Sequence, residues 1–303
     1  MLLEVGVSDA ELQAEAGRIA ARVEAVFSRY LAGPGDGRDR LFQAMRHAGL
    51  GGGKRIRPLL TAATARMFAL AEDRAIRAGA AIEAIHVYSL IHDDLPCMDD
   101  DDLRRGKPTV HRAFDESTAV LAGDCFHDLA SEIIADPETH EDPFVRAELV
   151  LELARASGPN GMAGGQMLDL VAEGQQLDIA AITRLQQLKT GALIEFSVEA
   201  ACIMARLPAE ARTPYRGFAR DVGLAFQIAD DLLDHAGDEE AAGKRLRKDA
   251  GAGKATFVSL LGEERARRQC SILVEQAIEH LQHHGEEADL LRAVARYVEE
   301  RDR

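Results

Sequence analysis

The chain has 303 residues, 47% hydrophobic and only 5% aromatic, with no Trp; that is enough apolar material for a real core, and the aromatic-poor balance favours close-packed helices over a β-sandwich or propeller. With 36 basic against 51 acidic residues the net charge is −15, the wrong sign for a nucleic-acid binder. Cys97, Cys125, Cys202 and Cys270 form no CxxC pair or disulfide framework, the first residues lack a basic-then-apolar leader, and no run approaches the ~18 apolar residues of a membrane span, so a cytoplasmic protein without a membrane span is expected.

Helical periodicity dominates the chain. Ser8 and Glu11 form an S-x-x-E capping box ahead of Leu12, Ile19, Val23, Val26, Phe27 and Tyr30 at helical spacing. The Gly-Pro-Gly at 33–35 stops that helix, and a short one follows around Leu41 to Ala48. Gly49 to Gly53 is a glycine-rich turn, and Pro58 suits the first turn of a helix running to Ala71. The segment from Gly79 to His92 is apolar on nearly all sides, as a buried helix is, and Ser117 to Ala135 reads similarly. Further helices are expected over 144–156, 161–173, 179–206, 214–235, 254–283 and 287–301, with breaks at 157–161 and 237–253 and no strand pattern. The expectation is an all-α fold in a single domain, residues 1–303.

Two acidic clusters stand out. The first, His92-Asp93-Asp94-Leu95-Pro96-Cys97-Met98-Asp99 and on to Asp102, begins at the end of the apolar helix, where Pro96 obstructs continuation. That end carries the negative pole of the helix dipole, an unfavourable place for carboxylates. The second is Asp230-Asp231-Leu232-Leu233-Asp234, with Asp230 and Asp234 on one helical face. Like charges ~4 Å apart repel by about 4 kcal/mol at an effective dielectric of ~20, so a cation is called for. Oxygen-only donors suit a hard ion, Mg²⁺ above all. The EF-hand spacing is missing. A solvated acidic face would explain one cluster; two clusters in apolar helical settings argue against it.

Basic groups alternate with the acidic ones. Gly52-Gly53-Lys54-Arg55-Ile56-Arg57-Pro58 sets three cations beside a glycine turn and a helix start, without the spacing of a Walker A loop. Arg104-Arg105-Gly106-Lys107 follows the first acidic cluster. Lys189-Thr190-Gly191 lies within a helix, and Lys244, Arg245, Arg247, Lys248 and Lys254 follow the second cluster. Cations so placed in an acidic protein point to a polyanionic ligand such as a diphosphate ester, bridged to carboxylates by metal.

At these residues the chain resembles the trans-isoprenyl diphosphate synthases, the polyprenyl synthetase family. GGKRIRP, YSLIHDDLPCMDDDDLRRGKPTVH, LAGD, GGQMLDL, LKTGAL and GLAFQIADDLLD occur in the family's order, from about residue 40 to 265, and four residues separate Asp94 from Asp99 as in the short-chain bacterial branch. The resemblance implies an isoprenoid synthase fold, a helical bundle around a deep cavity, in homodimers. It implies that Asp93, Asp94 and Asp99 on one side and Asp230 and Asp234 on the other hold Mg²⁺, three ions per site, with Asp231 and Asp169 as secondary contributors. Arg104, Lys189, Gln227 and Lys244 would contact an allylic diphosphate, with Thr190 and Lys254 beside them. Lys54, Arg57, His86 and Arg105 would hold isopentenyl diphosphate. The implied reaction is ionisation, condensation and elimination, with Lys189, Thr190 and Gln227 steadying the cation.

Product length should be read from the helix below Asp93. Tyr88 lies five residues earlier, about 7.5 Å down at ~1.5 Å per residue, beside the small Ser89. An aromatic at that depth implies a C15 product made from dimethylallyl or geranyl diphosphate. A C20 product is the alternative, and Tyr88 as plain core packing is the bland one. A class I terpene cyclase would lack GGKRIRP and the second Asp-Asp-x-x-Asp; a non-catalytic partner subunit would have lost one aspartate motif.

Overall fold

The structure, a computed structural model, describes residues 6–172, 174–175, 177–236 and 256–300. Helix α1 (Asp9–Tyr30) opens on the expected capping box, with the Ser8 amide donating to Glu11 Oε2 at 2.9 Å. Then come α2 (Asp39–Gly49), α3 (Ile56–Met67) and α4 (Glu72–Asp93). Beyond the hairpin that follows α4 lie α5 (Val110–Ala113), α6 (Glu116–Ala135), α7 (Pro143–Ser157), α8 (Met162–Ala172), α9 (Ile179–Gln186), α10 (Ala192–Met204) and α11 (Thr213–Ala236). The last are α12 (Phe257–Leu261), α13 (Glu263–His280) and α14 (Asp289–Glu300).

The all-α expectation holds, and α4 is the axis of the bundle. It packs on α1, α2, α3, α6 and α10, while α11 packs on α10, α13 and α14. From Ala75 to Ile85 every residue of α4 is buried. Small side chains on that stretch let neighbours approach closely, so dense packing compensates for the shortage of aromatics. Phe27 and Phe126 meet edge to face at 5.7 Å, and a Cβ added at Gly49 would come within 2.6 Å of the Phe126 ring. Each buried phenyl contributes roughly 1.5–3 kcal/mol. Among the described residues no helix is long and apolar enough to cross a membrane.

Several expected boundaries move, each for a local reason. The helix expected from Gly79 begins at Glu72, where Glu72 and Asp73 favour the positive end of the helix dipole. The helix expected over 58–71 runs Ile56–Met67, closing where Ala69 takes φ 51°. The helix expected over 179–206 is interrupted by one π-helical turn, Gln187–Gly191. The helix expected over 254–283 is split at Gly262, whose φ of 80° a helix cannot contain; its first residues lie outside those described. A small hairpin was not expected: β1 (Leu103–Arg104) pairs antiparallel with β2 (Lys107–Pro108), Arg104 opposite Lys107. Its two turn residues, Arg105 and Gly106, have φ 52° and 73°, the geometry that joins twisted strands most tightly. Helix α6 is not buried all round: Val120 and Leu121 are 41% and 52% exposed.

Candidate active site

The turn after α4 folds the first acidic cluster back on itself, with the Asp99 amide donating to the Asp93 carbonyl at 2.8 Å and the Asp101 amide to the Asp94 carbonyl at 3.2 Å. Asp93 is half-buried. Burial pushes its carboxyl up to about 6; Asp99 and Asp94 push the same way, against Lys189 and Arg104. Asp94 is buried and its pKa is also raised by burial, but Arg104 Nη2 lies 2.6 Å from its Oδ1. Asp99 is exposed at the rim.

The second motif lies on α11. Asp230 and Asp234 are half-buried, and Asp230 is near enough to Arg57 to act on its charge. Asp231, expected as a secondary metal contributor, is committed elsewhere. Its Oδ2 accepts the Phe257 amide at 2.8 Å, which anchors the start of α12, and its Oδ1 accepts Gln227 Nε2 at 3.2 Å. A carboxylate capping a helix start gains two partners that an ion would have to displace. Thr190 Oγ1 donates to Gln227 Oε1 at 3.3 Å, so Thr190, Gln227 and Asp231 form one chain of contacts. Asp169 pairs with Lys189, Nζ to Oδ2 2.7 Å.

Lys189 and Thr190 sit in the π-helical turn between α9 and α10, a conformation that withdraws carbonyls from the regular helical ladder. Opposite that turn, the two basic motifs come together. Arg105 Nη1 donates to the Gly52 carbonyl at 2.9 Å and Lys107 Nζ to the Gly51 carbonyl at 3.2 Å, so the hairpin is clasped to the glycine turn. Gly51, Gly52 and Gly53 all have positive φ, and a Cβ at Gly53 would lie 2.4 Å from Arg105 Nη1. Lys54 is exposed beside them and Arg57 is half-buried. His86 on α4 faces this group. Burial, then Arg57, Arg105, Arg104 and Arg55, hold its pKa well below the ordinary value, so the ring is neutral at pH 7.

Tyr88 lies one turn before His92 and meets two histidines edge to face, His92 at 5.8 Å and His127 of α6 at 5.3 Å. Ser89 Oγ donates to the His86 carbonyl at 2.9 Å and stays within its own helix. Lys244 and Lys254 lie outside the described residues.

Among the described residues no three carboxylate, imidazole or thiol side chains converge closely enough to hold a metal ion by themselves. The carboxylates form two half-sites on α4 and α11 rather than a closed cage. Their chemistry still fits Mg²⁺, because the donors are all oxygen and burial makes the charged form of the half-buried Asp93 carboxyl costly without added positive charge.

From the sequence Arg55 counts only as one of three cations in its segment, and Glu83 is not singled out. Both are buried and paired, Arg55 Nη1 to Glu83 Oε1 at 2.8 Å. The available signal was Glu83 within the largely apolar stretch from Gly79 to Ile91, since a charge there needs a partner.

A polyprenyl synthetase family model matches residues 38–297. The farnesyl diphosphate synthase of Escherichia coli is 43% identical over 266 residues, 86% of this chain and 89% of the relative. The fold matches the crystal structure of an FPP/GFPP synthase from Zymomonas mobilis with a TM-score of 0.90 and 52% identity, over 96% of this chain and 100% of that one. It also matches a geranyltransferase from Helicobacter pylori complexed with magnesium and isoprenyl diphosphate, TM-score 0.81 and 31% identity, over 95% and 96% of the two chains. With both aspartate motifs, the clasped basic motifs and the helical bundle all present, this chain belongs to the polyprenyl synthetase family of trans-prenyltransferases.

Proposed function

We propose that the chain condenses isopentenyl diphosphate with dimethylallyl or geranyl diphosphate, giving the C15 product farnesyl diphosphate and releasing diphosphate. The observation that carries this reading is a site with two cationic sides. The glycine turn, the hairpin and His86 make one; Lys189, set against Asp93, marks the other. Two anionic substrates need two such sides, and a hydrolase or cyclase needs one.

Lys54, Arg57, His86 and Arg105 hold the diphosphate of isopentenyl diphosphate. A neutral His86 gives a ring N–H and no charge. Arg104, Lys189, Thr190 and Gln227, with Lys244 and Lys254, hold the allylic diphosphate. Asp93 at the end of α4 with Asp94 and Asp99 in the turn that follows, and Asp230 and Asp234 from α11, would hold Mg²⁺, three ions in all. When bound, Mg²⁺ supplies positive charge to the departing diphosphate.

As the allylic C–O bond breaks, Lys189 and Arg104 stabilise the charge on the leaving group. The Lys189 carbonyl and the Thr190 and Gln227 oxygens steady the allylic cation. The double bond of isopentenyl diphosphate attacks that cation, and the released diphosphate takes the proton that leaves. Apolar walls of α4 below Asp93 exclude water that would quench the cation.

We read the chain as one catalytic domain that pairs with a second copy, supported by the exposed Val120 and Leu121 on α6, and four free thiols suit a cytoplasmic setting. The test is product analysis after incubation with labelled isopentenyl diphosphate, each allylic starter and Mg²⁺. A C15 product is expected. No prenyl product from any starter overturns the reading, and C20 or longer as the main product overturns its length.

A further inference from the structure

The GGKRIRP segment is held from beneath by a side chain that faces away from solvent. Arg55, between Lys54 and Ile56, is 3% exposed and takes φ 46°, a left-handed conformation that costs a non-glycine residue energy. That backbone turns its guanidinium inward. Nη1 donates to Glu83 Oε1 at 2.8 Å and Nη2 to the Gly49 carbonyl at 2.6 Å. The guanidinium also lies 5.9 Å from the Phe27 ring centroid. On the outer side of the same turn, Glu24 Oε1 accepts the Gly51 and Gly52 amides at 3.0 and 3.2 Å. The glycine turn is thus tied at Gly49 to α4 through Arg55 and at Gly51 and Gly52 to α1 through Glu24. Among the described residues, the buried atoms Arg55 Nε, Arg57 Nε and Glu83 Oε2 have no hydrogen-bond partner.

We propose that Arg55, clamped by Glu83, is the positioning residue of the isopentenyl diphosphate side: it fixes the glycine turn so that Lys54 and Arg57, its neighbours on either side, and Arg105, clasped to Gly52, converge on one diphosphate. The fork of Arg55 is what matters. A lysine carries the charge but cannot bond Glu83 and the Gly49 carbonyl in two fixed directions at once. Apart from Arg104 on β1, the described groups of the allylic side sit on the π-helical turn and α11, which have no share in this anchor. Loss of Arg55 should therefore act on one substrate alone, which general loosening of the fold would not do.

The inference rests on the proposed function, and the test separates the two. Initial rates are measured with each substrate varied in turn, for the wild type, Arg55→Lys, and the double variant Arg55→Met with Glu83→Leu, which removes both charges and refills the space. The expected result is that both variants raise the KM for isopentenyl diphosphate at least tenfold, keep the allylic KM within twofold and keep wild-type helicity. Glu24→Ala, at the half-exposed outer tie where less stability is at stake, should raise the same KM about threefold. An unchanged KM for isopentenyl diphosphate in Arg55→Lys and Glu24→Ala overturns the proposal, as does an equal rise in both KM values. Should the wild type fail to condense the substrates, the proposed function falls. Calorimetric titration with inorganic diphosphate in the absence of metal then decides the anchor: tenfold weaker binding by Arg55→Lys supports it, and equal binding sinks it.

Discussion

Gly165 of α8 lies so close to Lys189 that a Cβ added there would sit 2.1 Å from the Lys189 amide nitrogen. The π-helical turn that presents Lys189 and Thr190 is therefore seated directly on glycine backbone. Gly165→Ala should push that turn away, costing about 1–3 kcal/mol of stability and lowering kcat at least tenfold. Gly191 offers the contrast within the same turn, since a Cβ there would meet nothing closer than the Gln186 carbonyl at 3.5 Å. Gly191→Ala should keep wild-type stability within about 0.5 kcal/mol. Thermal unfolding and kcat of the two variants check this, and equal damage from both would show that the close contact is not what matters.

Asp93 should show function opposed to stability. Burial and two neighbouring carboxylates disfavour its charged form, so its pKa rises from 3.8 to about 6. At pH 7 the charge works against the folded state. Asp93→Asn should leave the metal-free protein more stable by about 1–2 kcal/mol. Turnover with Mg²⁺ should fall at least a hundredfold. Urea unfolding in EDTA measures the first effect and steady-state turnover the second. A variant that is active, or less stable than the wild type, contradicts the assignment.

His86 sets a pH dependence of stability. Its folded pKa lies well below 6.5, because burial and four arginines oppose protonation. The unfolded chain therefore takes up a proton near pH 6.5 that the folded chain refuses. Stability from this group is complete above 6.5 and declines as pH falls below it. Between pH 7.5 and 5.5 the wild type should lose more stability than His86→Gln, which has no proton to take up. Urea unfolding at the two pH values decides the matter; parallel losses would show that His86 titrates normally.

Tyr88 is held on two edges, by His92 and His127, which restricts its ring to one orientation. Tyr88→Ala should open the space below Asp93 and shift product from C15 towards C20 or longer. Ser89→Ala should not, since the Ser89 hydroxyl bonds back to the His86 carbonyl of its own helix. Chromatography of the dephosphorylated products distinguishes the two, and unchanged chain length in Tyr88→Ala places the floor elsewhere.

The helices and the acidic and basic motifs were legible in the sequence because their signals are local. A capping box at Ser8, a largely apolar run before Asp93 and paired aspartates at helical spacing each carry their own physics within a few residues. What the sequence could not supply was partnership across the fold. Asp94 reads as a carboxylate left for metal alone, yet it also pairs with Arg104 of β1, ten residues on. Asp231 reads like Asp230, yet it faces the start of α12 and caps it.

The sequence alone determined that this is a helical protein with two carboxylate clusters and matching cations, because charge, periodicity and turn chemistry are properties of short stretches. Tertiary structure decided which charges are spent on the fold and which are left for a ligand. Arg55 and Arg57 stand two residues apart in one motif. The left-handed backbone at Arg55 turns its side chain into the core against Glu83, while Arg57 starts α3 facing Asp230. Burial, which depends on how helices distant in sequence pack together, separates the proposed anchor from the proposed binding group.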